Sequence, residues 1–334
     1  MPLITPNQLK DIFPLSEQMK NTVDEWRSII RNILRGDDHR ILAVVGPCSI
    51  HNIKSAKDYA ERLKRMSDKL KEKLFIVMRV YLEKPRTSTG WKGFMNDPHL
   101  NNSCSIEDGL KLSRELLSFI AELGLPAGGE ALNPVTPLYF HDLYSWNAIG
   151  ARTSESQSHR DMAGSLDTVV GFKNSTDGNV DIAINALLSA SNPRKYIGFS
   201  PDGKVSIIDT PGNNDTHIVL RGGKTSNYSN KHIREYEDKL KQLALPRRIM
   251  IDCSHGNSSK NAACQADVMD SITKQIKEGN TSIFGFMLES NINSGRQDIP
   301  ADTSKLKYGI SVTDECLDWN STEKLLTKFY HNLG

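Results

Sequence analysis

The feature that most constrains the fold is a series of short apolar segments, each ending at a residue with a reactive or charged side chain. The segments are ILAVVGPCS, FIVMRVY, PAGGEAL, WNAIGAR, VVGFKN, HIVLRGG, RIMIDCSH and SIFGFMLES. The polar residues at or just after their ends are Cys48, Arg79, Glu130, Arg152, Lys173, Arg221, His255 and Glu289. Helix-like segments separate these runs, an order typical of βα units around a parallel sheet. The sequence therefore predicts an α/β fold, a (β/α)8 TIM barrel, in which the strand ends meet on one face.

The repeat begins after an N-terminal extension. We predict the extension at residues 1–40 and the barrel domain at 41–334. The extension contains a helix-like segment near 21–35 and too little apolar surface to fold alone, so we expect it to contact the barrel or a neighbouring subunit. Two strand-like runs flank a Pro-Asp-Gly turn and predict a β-hairpin at about 195–210, inserted before the sixth barrel strand. The third barrel helix is predicted over 135–145.

Size and charge restrict the classes of partner. The 334 residues are enough for one large domain, and the net charge of +2 with scattered basic residues does not predict a nucleic-acid partner. No apolar run approaches the roughly 20 residues of a membrane-spanning helix, and no signal pattern is evident. The five cysteines match no disulfide framework, which indicates a reducing compartment. We therefore expect a cytoplasmic protein without a membrane partner.

Four of the polar residues share the chemistry of metal ligands. Cys48, His255 and Glu289 follow predicted strands, and Asp314 lies just beyond the last one. A thiolate, an imidazole and two carboxylates suit a borderline divalent ion such as Mn, Fe, Co or Zn better than Mg or Ca. The alternatives are a small buried thiol for Cys48 and a hydrogen-bonded histidine for His255. Their spacing along the chain does not decide between these interpretations.

Positive side chains are concentrated at the same strand ends. They are Arg79, Arg152, Lys173 and Arg221, together with Lys84 and Arg86 in the segment after the second strand. In one small mouth these charges repel one another unless an anionic ligand neutralises them, and arginine matches the geometry of phosphate and carboxylate. The run from Arg221 to Lys224 adds two glycines that let backbone N–H groups approach a phosphate. The residues predict anion binding; the alternative for each cation is a solvated or ion-paired side chain.

Seven longer motifs surround these residues: GPCSIH (46–51), MRVYLEKPRTSTGWKG (78–93), SWNAIGARTSESQSHR (145–160), GFKNSTDGN (171–179), HIVLRGGK (217–224), IDCSHGNSSK (251–260) and YGISVTDECLDW (308–319). They resemble those of 3-deoxy-D-arabino-heptulosonate 7-phosphate (DAHP) synthases of the short, single-module bacterial and fungal type. The resemblance implies a metal-dependent condensation of phosphoenolpyruvate with D-erythrose 4-phosphate and water. The products would be DAHP and phosphate, in the first step of the shikimate pathway.

The resemblance also implies roles for individual residues. The metal ligands would be Cys48, His255, Glu289 and Asp314. The phosphoenolpyruvate site would contain Arg79, Lys84, Arg152, Lys173 and Arg221. The phosphate of the aldose would bind to Arg86 and Thr87. The residues closest to catalysis would be Cys48 and His255 through the metal, Lys84 as proton donor, and Glu130. We expect cationic neighbours to lower the pKa of Lys84, and Glu130 to orient water or the cation network.

Family members of this type are commonly inhibited by one aromatic amino acid, which binds between the hairpin, two barrel helices and the N-terminal arm of a neighbouring subunit. The segment from Glu130 to Pro134 resembles the tyrosine-inhibited form, so tyrosine is the favoured effector. Two residues depart from the pattern: Leu138 replaces the usual glutamine, and Asp167 replaces a residue that is often small. Weak or absent inhibition is therefore the alternative. The family also implies a homodimer or a homotetramer.

Three other functions are compatible with parts of the sequence. A 3-deoxy-D-manno-octulosonate 8-phosphate synthase shares the fold and chemistry, but typically has Lys-Ala-Asn-Arg where this chain has Lys-Pro-Arg-Thr at 84–87. A non-catalytic, effector-binding relative would be expected to have lost a ligand or a cation, and this chain retains them. A sugar-phosphate aldolase with a lysine Schiff base would use Lys173, and borohydride trapping with substrate would detect it.

Overall fold

The computed structural model describes residues 2–86 and 89–333, and its strands form a closed parallel barrel with a separate hairpin. The strands are β1 (Ile41–Gly46), β2 (Leu74–Arg79), β3 (Ala127–Glu130), β4 (Tyr144–Ile149), β5 (Val169–Lys173), β6 (Arg194–Phe199), β7 (Val205–Thr210), β8 (Thr216–Leu220), β9 (Ile249–Asp252) and β10 (Ile283–Glu289). The barrel order is β1-β2-β3-β4-β5-β8-β9-β10, and β10 pairs with β1 to close the ring. The predicted (β/α)8 barrel and its inserted hairpin are therefore confirmed.

Helices separate the barrel strands and precede the first of them. They are α1 (Pro6–Ile12), α2 (Glu17–Arg35), α3 (Ile53–Leu70), α4 (Ile106–Glu122), α5 (Pro137–Phe140), α6 (Gln157–Ser165), α7 (Asp181–Ala190), α8 (Asn230–Gln242), α9 (Gln265–Lys277) and α10 (Trp319–Asn332). The predicted helix over 135–145 is wrong in extent, because α5 has 4 residues and the chain turns at His141 before β4 begins. Within the described residues, no helix is long and apolar enough to cross a membrane.

The barrel helices form where a capping residue precedes one apolar stripe, and α3 is representative. The side-chain oxygen of Asn52 accepts a hydrogen bond from the backbone N–H of Ser55 at 2.9 Å. Tyr59, Leu63 and Met66 recur at the helical period and are buried against the barrel. The stripe holds the helix on the outer face of the strands, and the following loop returns to the amino end of β2.

The barrel strands are apolar along their length because they are buried on both faces. In the interior, the indole N–H of Trp146 donates to Nε2 of His217 at 3.0 Å. Nδ1 of His217 lies 3.1 Å from the carbonyl oxygen of Ile218, so the ring fits a neutral tautomer with its proton on Nδ1. Burial lowers the pKa of His217 to about 4. Gly171 makes room for the ring, because a Cβ there would lie 2.7 Å from Cε1 of His217.

Helix α2 covers the amino ends of the strands. Ile30 and Ile33 are buried in the same cluster as the side chains of the barrel interior. Arg27 donates from Nε to the carbonyl oxygen of the first residue of β4 at 3.0 Å. Arg31 donates to Asp215, just before β8, at 3.0 Å. The N-terminal segment therefore closes the end of the barrel opposite to the strand ends that carry the polar residues.

The hairpin projects from the barrel and leaves one face uncovered. Strands β6 and β7 pair in antiparallel register, and Ile197 lies directly opposite Ile207. The backbone N–H of Asn7 donates to the carbonyl oxygen of Pro201 in the hairpin turn at 3.1 Å. The large apolar side chains on the uncovered face are Ile197, Phe199, Val205 and Ile207, which are between 41% and 82% exposed. An apolar surface of this kind is typical of a contact with another macromolecule.

Candidate active site

A cavity of about 480 Å³ opens at the carboxyl ends of the barrel strands. The positively charged residues of its lining are Arg79, Lys84, Arg86, Arg152, Lys173, Arg221, Lys224 and Lys260. In the part of the chain that the structure describes, two carboxylates line the same space, from Glu130 and Asp314. This excess of positive charge favours anionic ligands. Cys48 and Glu289 lie below this lining and are buried.

Arg79 forms an enclosed ion pair below the cavity. Its Nη2 lies 2.8 Å from Oε1 of Glu289, and both side chains are 1% exposed. Its Nε donates to the carbonyl oxygen of Pro47 at 3.1 Å, and its Nη1 lies 2.6 Å from Sδ of Met287. Most of the guanidinium is therefore committed to protein contacts, so Arg79 has less capacity for a substrate than its sequence position suggested.

A second buried pair joins β5 to β9. Nζ of Lys173 lies 2.9 Å from Oδ2 of Asp252, and the same oxygen lies 3.0 Å from Nδ1 of His255. Burial of Asp252 opposes its ionisation, but Lys173 and His255 outweigh burial and hold the pKa of Asp252 well below its usual range. His255 has a left-handed φ of 57°. Its ring is held with Nδ1 towards Asp252 and Nε2 at 3.7 Å from Oε1 of Glu289.

The predicted metal ligands lie close together, with His255 and Asp314 in the cavity lining and Cys48 and Glu289 buried below it. Donor atoms of Cys48, Glu289 and Asp314 lie within 4.8 Å of one another. The thiol of Cys48 is 3.7 Å from Oδ2 of Asp314, and Nε2 of His255 is 3.7 Å from Oε1 of Glu289. Burial, reinforced by Glu289, raises the pKa of the Cys48 thiol. One sulfur, one ring nitrogen and two carboxylates form a donor set that fits a borderline divalent ion.

Lys84 contacts this group of ligands. Its Nζ lies 3.2 Å from Sγ and 3.2 Å from the carbonyl oxygen of Cys48. Burial lowers the pKa of Lys84, but electrostatic interactions with neighbouring Cys48 and Glu289 outweigh burial, and the net effect raises the pKa above its usual value. The lowered pKa expected from the sequence is therefore wrong. Lys84 is therefore an ammonium ion at neutral pH.

The cations nearer the mouth lack carboxylate partners. Within residues 2–86 and 89–333, no ion pair involves the side chains of Arg86, Arg152, Arg221, Lys224 or Lys260. Nε of Arg86 donates to the carbonyl oxygen of Trp91 at 2.8 Å, which fixes the inner end of its guanidinium. These outer cations are available to bind anions. Thr87, predicted to share a phosphate with Arg86, lies outside the described residues.

Glycines form one wall of the cavity between Arg221 and Lys224. A Cβ on Gly223 would lie 2.3 Å from the carbonyl oxygen of Asp177, and a Cβ on Gly256 would lie 2.6 Å from the nitrogen of Gly223. Side chains larger than hydrogen would therefore collide with backbone that cannot move aside. The wall presents bare backbone between two cations, but its N–H groups are engaged within the chain. Those of Gly222, Gly223 and Gly256 donate to Oδ1 of Asn227 and to the carbonyl oxygens of Thr225 and Arg221. The phosphate contact predicted for the two glycine N–H groups after Arg221 is therefore wrong for this conformation.

Glu130 ends β3 and lies in the wall of the cavity. A Cβ on Gly150 would lie 2.1 Å from Oε1 of Glu130, so glycine at that position makes room for the carboxylate. Glu130 also borders a smaller space behind the cavity, next to Ala131 and Thr136. Its predicted role towards water stays a prediction.

The three residues predicted to affect regulation lie away from the cavity lining. Pro134 is exposed in the loop after β3, Leu138 is half-buried in α5, and Asp167 precedes β5. The carboxylate of Asp167 accepts a hydrogen bond from Nη1 of Arg27 at 2.8 Å. Asp167 is therefore engaged by a cation of α2 in its own chain.

Sequence reasoning gave no role to three residues of this site: Tyr81 and Lys260, which line the cavity, and Asp252, which is buried beneath it. Asp252 ends an apolar run, the same signal that selected Glu289, and was available from the sequence. Tyr81 was available too, because it is the last residue of the run FIVMRVY. Lys260 carried no such signal, because its place depends on the path of the loop after β9. The fold and this cavity define the class of the protein: a (β/α)8-barrel enzyme that binds anionic substrates beside a candidate metal site.

Comparison with known proteins identifies the family. Residues 13–327 match the DAHP synthetase I family. The chain is 47% identical over 332 residues to the Tyr-sensitive phospho-2-dehydro-3-deoxyheptonate aldolase of Escherichia coli strain K12, covering 99% of this chain and 93% of that protein. It is 48% identical over 324 residues to the Phe-sensitive protein of the same strain, covering 97% and 92%.

A solved structure agrees with the sequence comparison. Phospho-2-dehydro-3-deoxyheptonate aldolase from Francisella tularensis SCHU S4 superposes with a TM-score of 0.97 at 44% identity, covering 100% of this chain and 97% of that one. The chain belongs to the DAHP synthetase I family, and the resemblance found in the sequence is confirmed.

Proposed function

We propose that the chain is a DAHP synthase, which condenses phosphoenolpyruvate with D-erythrose 4-phosphate and water to give DAHP and phosphate, the first step of the shikimate pathway. The family match over residues 13–327 carries this proposal. The cavity supports it, because the eight cationic and two anionic side chains that line it among the described residues favour ligands of high negative charge. Two phosphorylated substrates meet that requirement.

Separate residues of the cavity bind the two substrates, donate a proton and orient water. Arg152, Arg221 and Lys173 hold phosphoenolpyruvate so that C3 faces the aldehyde carbon of the second substrate, whose phosphate binds at Arg86. C3 forms the new C–C bond, and the ammonium group of Lys84 donates a proton to the resulting alkoxide. Glu130 orients the water that adds at C2, after which phosphate leaves with its bond to C2 broken.

We include in the proposal a divalent ion, Mn, Fe, Co or Zn, held by Cys48, His255, Glu289 and Asp314. When bound, such an ion supplies Lewis acidity towards the aldehyde oxygen. Cys48→Ala should lose bound metal after dialysis, measured by mass spectrometry of the elements, together with turnover. Cys104→Ala, which removes an exposed thiol, is the control and should retain both. Full turnover of Cys48→Ala in metal-depleted buffer would contradict the ligand set.

The decisive experiment measures phosphate release from phosphoenolpyruvate plus erythrose 4-phosphate, with added metal and with a chelator. We expect turnover that the chelator abolishes. No turnover with any of the candidate metals would reject the proposal and favour a non-catalytic, effector-binding relative. A preference for arabinose 5-phosphate would indicate a 3-deoxy-D-manno-octulosonate 8-phosphate synthase, and borohydride trapping at Lys173 would indicate a Schiff-base aldolase.

We further propose that tyrosine inhibits the enzyme. The relatives named Tyr-sensitive and Phe-sensitive, at 47% and 48% identity, support inhibition by an aromatic amino acid. The choice of tyrosine rests on the segment from Glu130 to Pro134, which resembles the tyrosine-inhibited form. The same assay with tyrosine, phenylalanine and tryptophan should show suppression by tyrosine alone. If none of the three inhibits, Leu138→Gln and Asp167→Ser, made together, test whether these two departures disabled the effector site.

We also propose that the chain assembles as a homodimer or homotetramer through contacts that include its N-terminal extension at residues 1–40. The uncovered apolar face of the hairpin supports assembly, since large apolar side chains on a monomer surface are usually covered by a partner. The five cysteines are all unpaired, which supports a reducing compartment such as the cytoplasm.

A further inference from the structure

Tyr81 follows β2, lines the cavity and is the common neighbour of three cations. The guanidinium carbon of Arg79 lies 3.7 Å from the centre of its ring, and the ammonium nitrogens of Lys84 and Lys173 lie 6.0 Å and 5.9 Å from it. All three distances are within the range of cation–π attraction. The residue is 1% exposed, so its ring is fixed in the floor of the cavity.

The hydroxyl of Tyr81 is buried and has no hydrogen-bond partner in the described part of the chain. Tyr144 shows the usual solution for a buried phenol, because its hydroxyl donates to the carbonyl oxygen of Val80 at 3.0 Å. A buried donor without an acceptor destabilises the folded protein, so its presence calls for a partner that the chain does not supply. Since Tyr81 borders the cavity, a ligand bound there can provide the acceptor.

We propose that Tyr81 is a binding residue for phosphoenolpyruvate. Its ring positions Arg79, Lys84 and Lys173, and its hydroxyl donates a hydrogen bond to an anionic oxygen of the substrate. The inference rests on the proposed function. Arg79 and Lys173 already bond to buried carboxylates, so the hydroxyl adds a donor where these two cations are partly committed.

The test separates the hydroxyl from the ring. Tyr81→Phe keeps the ring and removes an unpaired buried donor. Without ligand, this variant should therefore have a melting temperature equal to or above that of the wild type. Phosphoenolpyruvate should raise its melting temperature less than that of the wild type, and KM for phosphoenolpyruvate should increase about tenfold, as expected for one hydrogen bond to a charged group. KM for erythrose 4-phosphate should stay unchanged. Tyr81→Leu removes the ring as well and should also lower kcat.

Tyr144→Phe is the matched control, because it removes a hydroxyl that already has a protein partner. It should melt at a lower temperature and keep the wild-type response to phosphoenolpyruvate. Repeating the melting with pyruvate and with inorganic phosphate shows whether the carboxylate or the phosphate accepts the bond, since only that ligand should lose effect in Tyr81→Phe.

Three results would overturn the inference. The first is a rise in melting temperature with phosphoenolpyruvate that is as large in Tyr81→Phe as in the wild type. The second is a lower melting temperature of ligand-free Tyr81→Phe than of the ligand-free wild type. The third is equal kcat values for Tyr81→Phe and Tyr81→Leu. Failure of the proposed function is distinguishable from all three, because the wild type itself would then show neither turnover nor a response to phosphoenolpyruvate.

Discussion

At the scale of single residues, two buried ion pairs determine which cations face the ligand. Arg79 is neutralised by Glu289, and Lys173 by Asp252. A buried pair costs desolvation on both sides, and removing one partner leaves an uncompensated charge in a medium of low polarity. The pairs below the cavity should therefore be sensitive to substitution in a way that surface pairs are not.

Asp252→Asn tests this difference, because it leaves Lys173 buried without a counter-charge. We expect the free energy of unfolding to fall by about 3 kcal/mol, measured by urea denaturation. Asp270→Asn is the control: it breaks an ion pair with Lys328 in which both side chains are more than half exposed. That change should cost less than about 1 kcal/mol. Equal losses of unfolding free energy in the two variants would show that the Lys173–Asp252 pair contributes no more to stability than an exposed pair does.

His217 makes the stability of the barrel depend on pH. Its folded pKa of about 4 is below the ordinary value of 6.5, so the unfolded chain takes up the proton first as the pH falls. The contribution of neutral His217 to the free energy of unfolding is complete above pH 6.5 and is lost as the pH falls to 4. A pKa shift of this size corresponds to about 3 kcal/mol.

His217→Gln should therefore reduce the loss of stability between pH 7 and pH 4.5, measured by urea denaturation at each pH. A glutamine side chain keeps an acceptor for the indole of Trp146 but does not titrate in this range. His331→Gln, at an exposed position near the C-terminus, is the control and should leave the pH dependence as it is in the wild type. An unchanged slope in His217→Gln would mean that other groups dominate the acid sensitivity.

At the scale of elements, glycines end helices where the chain turns left-handed. Gly36 follows α2 with a φ of 88°, and Gly279 follows α9 with a φ of 95°. A Cβ on Gly36 would lie 2.2 Å from Nη2 of Arg248, whereas a Cβ on Gly279 would meet nothing within 4 Å. The two positions share a backbone requirement and differ in their surroundings.

Gly279→Ala should cost about 1 kcal/mol of unfolding free energy, from the left-handed backbone alone. Gly36→Ala should cost about 1 kcal/mol more, because Arg248 must move and lose its 2.7 Å hydrogen bond to the carbonyl oxygen of Arg35. Urea denaturation of both variants gives the difference directly. Equal costs would show that Arg248 moves aside freely and does not fasten α2 to the barrel.

At the scale of the whole molecule, the uncovered face of the hairpin predicts assembly. Ile197 and Ile207 are paired across β6 and β7 and are 82% and 76% exposed. Ile197→Lys with Ile207→Glu replaces this apolar pair by a cross-strand ion pair that keeps the hairpin folded. We expect the variant to have a smaller mass than the wild type by light scattering.

The control for assembly is Ile197→Val with Ile207→Val, which retains an apolar face and should retain the wild-type mass. Two results would count against an interface at this face: a monomeric wild type, or a charged variant with the wild-type mass. Comparing turnover of the charged variant with and without tyrosine also tests the expectation that the effector binds between the hairpin and a neighbouring subunit.

The sequence by itself determined the barrel and most of its chemistry. Apolar runs of strand length alternate with amphipathic segments, and in a parallel barrel this order places every run's last residue on one face. This rule predicts that Cys48, Glu289 and the cations lie on one face of the barrel, because the direction of each strand follows from connectivity alone. The sequence did not predict the lengths of all elements. Helix α5 is shorter than predicted, because the position at which β4 begins sets where the helix must end.

The tertiary structure decided which of these residues pair with one another. Residues 79 and 289, and residues 173 and 252, meet through the closure and register of strands that are far apart in the chain. That pairing separates committed cations from available ones. The tertiary structure also places Cys48 and Glu289 beside Lys84, which raises the pKa of Lys84, and leaves the hydroxyl of Tyr81 without a partner among the described residues. Charge and hydrogen bonding depend on distances of a few ångströms, and the order of residues in a sequence does not contain them.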